Sequence, residues 1–192
     1  MTPYPRTMLA IHWLTAAAVA IAYLSSDDPT HGTTAVDVWM GSMHVAAGLW
    51  VLGLVLVRLP VRLLSASQRP VSTPMVGAWR RLQRLPGYAH AALYVLMLVT
   101  PALGWIALST MTPDFAMFGS NWSLPLLNQT TSVWLDSLGD IGEIHAWVGN
   151  LFIALIGIHA AAALLHHLVI KDNTLRTMLP KRFQTIGPKA VR

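Results

Sequence analysis

Four long stretches without a charged side chain constrain this sequence more than any other feature. They cover residues 7–26, 38–57, 85–113 and 144–170 and contain 20, 20, 29 and 27 residues. A helix crosses the hydrocarbon core of a bilayer with about 20 apolar residues, and in lipid only helices or closed barrels satisfy their backbone hydrogen bonds. Charged residues make up 11% of the chain, whereas soluble domains typically contain about 25%. The sequence therefore predicts one all-α domain over residues 1–192, an integral membrane four-helix bundle.

The charges between these stretches alternate in sign along the chain. All 13 Lys and Arg residues precede the first stretch, separate the second from the third, or follow the fourth, and the other two connections carry only acidic charges. Cytoplasmic segments are rich in Lys and Arg, so we expect a chain that crosses the membrane several times and has both termini in the cytoplasm. The predicted parts are spans at about 7–26, 38–57, 86–109 and 143–170, an inner loop at 58–85, a long outer loop at 110–142 and a cytoplasmic tail at 171–192.

Two features of this pattern allow other interpretations. A net charge of +5 also occurs in proteins that bind nucleic acid, but here the basic residues follow the topology, so membrane lipid and no nucleic acid is the expected partner. The first span could be a cleaved signal peptide, yet its apolar run is longer than the usual core of about 7–15 residues. We therefore expect the first span to be retained.

Histidine is the residue type that indicates a function. The chain has no cysteine, which excludes disulfides, cysteine-bound iron–sulfur clusters and c-type haem attachment. Seven of the eight histidines lie in the predicted spans, and only His31 lies in a loop. Ionisable side chains within a membrane are rare and usually functional. His44 and His145 lie near the outer ends of their spans, while His12 and His159 lie towards the inner side.

These depths predict two metal centres, each held between two helices. We pair His44 with His145 at an outer centre and His12 with His159 at an inner one, and we interpret each pair as the axial ligands of a haem b iron. Interhelical hydrogen bonds, a proton path or a zinc site are the alternatives. Zinc and non-haem metals more often recruit carboxylates or thiolates, and none of the spans has an internal Asp, Glu or Cys.

Small residues follow all four proposed ligands at the position that shares their helix face. The residues four positions further on are Ala16, Gly48, Gly149 and Ala163. They would leave room for a flat macrocycle, although Gly and Ala also permit close helix contact in membranes.

Two residues at the inner side are further candidates. His166 follows His159 by seven residues on the same face; it either reaches the lipid head groups or hydrogen-bonds a quinone head group. Arg58 lies fourteen residues after His44 and reaches the depth of the inner centre. It either pairs with a haem propionate or serves as a cytoplasmic anchor.

Several motifs resemble those of the bacterial cytochrome b561 family. They are IHW at residues 11–13, MHVAAG at 43–48 with Arg58 and Arg62 following, and HAAAALLHH, KDNTL and MLP within 159–180. The resemblance covers all four spans and the tail. It implies a di-haem b-type membrane cytochrome with bis-histidine ligation by His12, His44, His145 and His159, which exchanges electrons with quinone. It also implies that His90 lies near a haem without binding its iron.

The resemblance extends to superoxide oxidases, which pass electrons from periplasmic superoxide to ubiquinone, and so implies superoxide:ubiquinone oxidoreductase activity. Superoxide is an anion whose capture a cationic approach would favour, whereas the predicted outer connections contain acids and no Lys or Arg. The alternative function is a membrane-anchor cytochrome b subunit that accepts electrons from a periplasmic dehydrogenase or another redox protein. A histidine-lined proton or metal transporter is the third, non-redox hypothesis.

Overall fold

A computed structural model describes residues 6–26, 34–64, 85–137, 139–171 and 174–179 of the chain. Its helices are α1 (Arg6–Leu24), α2 (Ala35–Leu64), α3 (Leu85–Met111), α4 (Gln129–Asp136), α5 (Ile141–Leu165) and α6 (Thr174–Thr177). Four of them, α1, α2, α3 and α5, are long and apolar enough to cross a membrane. The predicted all-α membrane fold is therefore confirmed. His31, most of the predicted inner loop and the last residues of the tail lie outside the described residues.

The spanning helices pack as two pairs. α1 packs against α2, α3 packs against α5, and the pairs meet where α2 contacts α3. In the described part of the chain neither α1 nor α2 packs closely against α5. We call the end of the bundle at which α5 begins the outer end and the opposite one the inner end.

The buried core lies halfway along the bundle. It consists of Val51 and Val55 of α2, Met97 of α3 and Phe152 of α5. Phe152 is one of only two buried residues of α5, and the other, Ile141, is at the start of that helix. Most other apolar side chains of the spans point outward, as expected for helices that are hydrophobic on all sides and face lipid.

The outer connection is folded onto the outer end of the bundle. A second apolar cluster, with Phe115 and Met117 from the connection, packs against α2. Phe118 has a left-handed backbone (φ 55°), which is rare for a residue with a side chain, and its N–H donates to the Ser42 hydroxyl at 2.8 Å. The Asp140 carboxylate accepts from the N–H of Glu143 at 2.9 Å and so caps the start of α5. These contacts fix the starts of α2 and α5 just before their outer histidines.

The inner end is covered by the segment that follows α5. The helix continues from His166 to Ile170 as one π-helical turn, and Lys171 then adopts a left-handed conformation (φ 57°). The indole N–H of Trp13 donates to the backbone carbonyl of Met178 at 2.8 Å. The beginning of the tail therefore contacts α1 at Trp13, the residue next to His12.

Candidate functional site

His44 and His145, the predicted outer pair, lie close together near the outer end of the bundle. Their ring centroids are 6.0 Å apart and their ring planes meet at 83°. Two imidazoles that share one metal through nitrogen–metal bonds of about 2.0 Å have centroids about 6 Å apart. The structure thus brings this pair together at a separation that one metal ion can bridge.

Backbone carbonyls hold both of these rings. The Nδ1 of His44 donates to the carbonyl of Ala22 at 2.8 Å, and the Nδ1 of His145 donates to the carbonyl of Thr100 at 3.0 Å. A carbonyl can only accept, so the proton of each neutral ring is on Nδ1 and the lone pair is on Nε2. Histidines that bind metals are commonly oriented in this way.

Gly104 of α3 lies directly against the ring of His145. A Cβ at this glycine would lie 2.9 Å from Cε1 and 3.3 Å from Nδ1 of the ring, so the ring occupies its position because the side chain is missing. By contrast, a Cβ at Gly48 or Gly149 would meet α3 only at 4.0 Å. Those two glycines face α3, which fits their alternative role in helix packing; their role beside a macrocycle stays a prediction.

The inner end contains three histidines. The rings of His159 and His90 are 5.2 Å apart at 80°, and the Nδ1 of His90 donates to the carbonyl of Pro86. His12 lies close enough to interact electrostatically with both rings, so the structure brings the predicted inner ligands and His90 into one cluster. The sharing of one iron by His12 and His159 stays a prediction.

Arg58 connects this cluster to a group of aromatic and basic side chains. Its Nη2 donates to the Nδ1 of His12 at 2.9 Å, and its guanidinium and that of Arg62 lie 5.4 and 5.3 Å from the ring centre of Tyr94. The Nε of Arg58 is buried and has no hydrogen-bond partner in the described part of the chain. A buried cation is costly unless an anion compensates it, and this side chain therefore suits an anionic ligand.

His166 is the first residue of the π-helical turn at the inner end and is half-buried, like its neighbour His167. Single π-helical turns occur frequently at functional sites. Both interpretations of His166, as a head-group contact and as a quinone contact, fit this position.

Residues of α2, α3 and α5 form three layers that are seven residues apart along each helix. The outer and inner layers contain the histidines, and the layer between them is apolar. Seven residues are almost two helical turns, so such residues share a face and lie about 10 Å apart along the axis. From the outer to the inner end, the layers are His44, Val51 and Arg58 on α2, then Gly104, Met97 and His90 on α3, and His145, Phe152 and His159 on α5. The middle layer coincides with the buried core. Sequence reasoning did not single out Gly104, although its spacing of fourteen from His90 was a usable signal.

The described residues contain no group of three or more His, Cys, Asp or Glu side chains that could hold a metal ion. Structural zinc sites usually have four such ligands and catalytic ones three. A pair of imidazoles with free Nε2 atoms is instead the donor set of a haem with two axial histidines. The residues of the outer pair therefore fit a b-type haem.

Comparison with known proteins agrees with this chemistry. The prokaryotic cytochrome b561 family matches residues 3–181 of the chain. The chain is 30% identical over 181 residues to the "Probable superoxide oxidase CybB" of Yersinia pestis, which covers 93% of this chain and 97% of that protein. It is 32% identical over 188 residues to "Cytochrome b561 homolog 1" of Escherichia coli (strain K12), covering 95% and 99%. It is also 28% identical over 185 residues to "Cytochrome b562" of Cereibacter sphaeroides, covering 93% and 96%.

A match over nearly the whole length, with four helices able to span a membrane, defines the class of the protein. The chain belongs to the prokaryotic cytochrome b561 family: it is a multi-pass protein of the bacterial inner membrane that binds b-type haem and transfers electrons.

Proposed function

We propose that this chain carries electrons through two b-type haems from a periplasmic donor to quinone near the cytoplasmic side. His44 and His145 bind the outer haem, and His12 and His159 bind the inner one. Haem iron supplies a centre that accepts and releases single electrons. The observation that carries the proposal is the outer pair, whose rings are 6.0 Å apart and whose Nδ1 atoms both donate to backbone carbonyls.

The protein's contribution at the outer site is to fix the ligands before the cofactor binds. The carbonyls of Ala22 and Thr100 set the ring orientation and leave the Nε2 lone pairs available, which lowers the cost of ordering the ligands on binding. Hydrogen bonds to Nδ1–H also make the imidazoles more basic.

At the inner site one contact has to change for ligation. If His12 binds iron through Nε2, its proton must be on Nδ1, and Arg58 can then no longer donate to that atom. The guanidinium, whose Nε is without a partner in the described region, would turn to a carboxylate of the haem. Arg58 is therefore proposed to pair with a propionate at the inner haem.

The distribution of charge supports the proposed orientation, with both termini in the cytoplasm. Arg6 starts α1, Arg58 and Arg62 are near the end of α2, and Lys171 follows α5, so all of them lie at the inner end. The acidic side chains that the structure describes are at the outer end: Asp37, Asp114, Asp140 and Glu143. This asymmetry is typical of a cytoplasmic inner end.

Superoxide:ubiquinone oxidoreduction is the activity that we propose for this electron path. It is supported by the similarity to the Yersinia pestis protein named a probable superoxide oxidase and by His166, which we propose to hydrogen-bond the quinone head group. The outer site would receive one electron from each of two superoxide anions, which leave as O2, and the inner site would deliver both electrons to one ubiquinone, which takes up two protons to become ubiquinol.

One observation favours a second candidate donor. The outer end presents acidic side chains, and its described residues include no Lys or Arg. Such a surface slows the approach of an anion and attracts a basic partner. A periplasmic dehydrogenase or another redox protein with a positively charged face is therefore the alternative donor.

A haem count and a stopped-flow experiment test the proposal. Purified protein should show a reduced-minus-oxidised spectrum of b-type haem, with two haems per chain, and one haem per chain or a flat spectrum would contradict it. Superoxide alone should reduce the haems, and added ubiquinone should reoxidise them. Reduction only by a partner protein would establish the alternative donor.

A further inference from the structure

We propose that Phe152, Val51 and Met97 form an apolar barrier that keeps protons and water from passing between the outer and inner histidine sites while electrons cross. This inference rests on the proposed function, because it assigns a role to the layer between the two haem sites. We call these three residues the middle layer.

The position of the middle layer follows from helix geometry. Phe152 lies seven residues from His145 and seven from His159, and Val51 lies seven residues after His44. Each step is about 10 Å along the helix axis. The middle layer therefore separates the outer histidine site from the inner one.

The side chains of the middle layer are buried inside the bundle. The exposed fractions are 3% for Val51, 6% for Met97 and 5% for Phe152. The residues beside them in sequence point the other way, since Trp50 is 67% exposed and Leu151 is 60% exposed. The three side chains thus meet each other inside the bundle.

Chemistry on the two sides of this layer makes a seal necessary. Charged side chains lie on both sides of it, among them Asp140 and Glu143 at the outer end and Arg58 and Arg62 at the inner end, and polar groups of this kind hold water. A chain of water between the two groups would allow protons to run down the membrane potential. Electrons need no hydrogen-bonded path, so a dry layer can block the passage of protons while electrons cross it.

The polar side chains one helical turn from Met97 on α3 are Tyr94 on the inner side and Thr100 on the outer side, and their hydroxyls are buried without a hydrogen-bond partner in the described part of the chain. The hydroxyl of Thr15 in α1 donates to the carbonyl of Ile11 at 2.7 Å within its own helix. Tyr94 packs against the core, one helical turn from Met97 towards the inner end. A buried water needs about two to four polar partners, and the apolar side chains of the middle layer offer none.

Proton flux into proteoliposomes tests the barrier directly. Liposomes that contain the haem-loaded protein and a trapped pH dye are given an inside-negative potassium diffusion potential, with no redox substrate. Wild-type protein should admit protons no faster than protein-free liposomes. Phe152→Ser, which adds a hydroxyl and space for water, should raise the flux by about tenfold or more.

Two matched variants separate the barrier from a general effect on the fold. Leu151→Ser places the same hydroxyl at the same depth on the lipid-facing side, and Phe152→Leu keeps the layer apolar; both should conduct like wild type. The proposal is overturned if wild type itself leaks, or if Phe152→Ser with its haem spectrum intact conducts no more than Leu151→Ser.

The same preparations distinguish failure of the barrier from failure of the proposed function. Haem per chain and the b-type spectrum report on the two haem sites, whereas proton flux reports on the middle layer alone. If Phe152→Ser does not fold, the proton flux of Met97→Ser is compared with that of Phe152→Leu and of wild type. Met97→Ser is expected to leak, and the other two are not. Equal, background flux in all three would overturn the barrier.

Discussion

Replacing Gly104 with alanine should weaken the outer haem site without replacing a proposed ligand. The new Cβ would lie 2.9 Å from Cε1, 3.3 Å from Nδ1 and 3.4 Å from Nε2 of His145. Non-bonded carbon atoms prefer separations of about 3.5–4.0 Å. The ring of His145 or the backbone of α3 must therefore move by roughly 0.6 Å or more.

The size of the effect follows from what that ring does. A shift would lengthen the 3.0 Å hydrogen bond from its Nδ1 to the carbonyl of Thr100. It would also move Nε2 away from the proposed position of the iron between His145 and His44. Overpacking typically costs about 1–3 kcal/mol, and changes in the groups that hydrogen-bond a metal-binding histidine typically reduce metal affinity by about 10- to 100-fold. We therefore expect the outer haem to bind about 10- to 100-fold more weakly.

Titration of haem into detergent-solubilised apoprotein measures this affinity, with the low-spin absorbance reporting each site. Gly53→Ala is the matched control, because a Cβ at Gly53 meets nothing within 4 Å in another spanning helix. The inner site should bind equally well in both variants. If Gly104→Ala and Gly53→Ala hold two haems with equal affinities, the reasoning about the His145 ring is refuted.

Three other substitutions address the inner end. His159→Ala should remove the inner haem and halve the haem content per chain, and retention of both haems would show that the pairing with His12 is wrong. His166→Ala should slow quinone reduction by about tenfold, the value of one hydrogen bond of about 1.4 kcal/mol, while both haems remain; His167→Ala is its control, and equal rates in the two variants would assign His166 to the lipid head groups. Arg58→Gln should lower the midpoint potential of the inner haem and leave that of the outer one unchanged in a redox titration, and an unchanged inner potential would leave Arg58 only as a cytoplasmic anchor.

The spans were predictable because one physical requirement dominates them. Lipid offers no partner for backbone groups or charges, so the uncharged runs had to become helices. The extent of α2 was less predictable, since the helix continues to Leu64, beyond the expected end of the span at 57. The charge of Arg58 predicts a boundary there, yet its long side chain reaches His12 at 2.9 Å from within the helix, which is how arginines near helix ends are accommodated.

The proximity of His44 and His145 could be inferred from their depths, but the groups that orient them could not. Every residue has a carbonyl, so the choice of Ala22 and Thr100 depends on how the helices cross and leaves no trace in residue type. The outer connection is similar, because the hydroxyl of Ser42 accepts from Phe118, 76 positions away, and such a contact has no local signal. The place of Gly104 was partly predictable, because the seven-residue spacing on α3 puts it at the level of the outer site.

The charges of the two ends give the proposed electron path a direction. A cation stabilises an electron on a nearby centre, and the guanidinium of Arg58 lies at the inner site, whereas Asp140 and Glu143 start the helix that carries the outer ligand His145. One unit charge at about 10 Å and an effective dielectric constant of about 20 contributes about 1.7 kcal/mol. Moving an electron inward against a membrane potential of about 100 mV costs about 2.3 kcal/mol of free energy. An unpaired arginine at the inner site would offset most of that cost, and its pairing with the proposed propionate would reduce this contribution. The acidic residues at the outer end act in the same sense, so the charges of the fold lower the cost of the proposed transfer towards the cytoplasmic side.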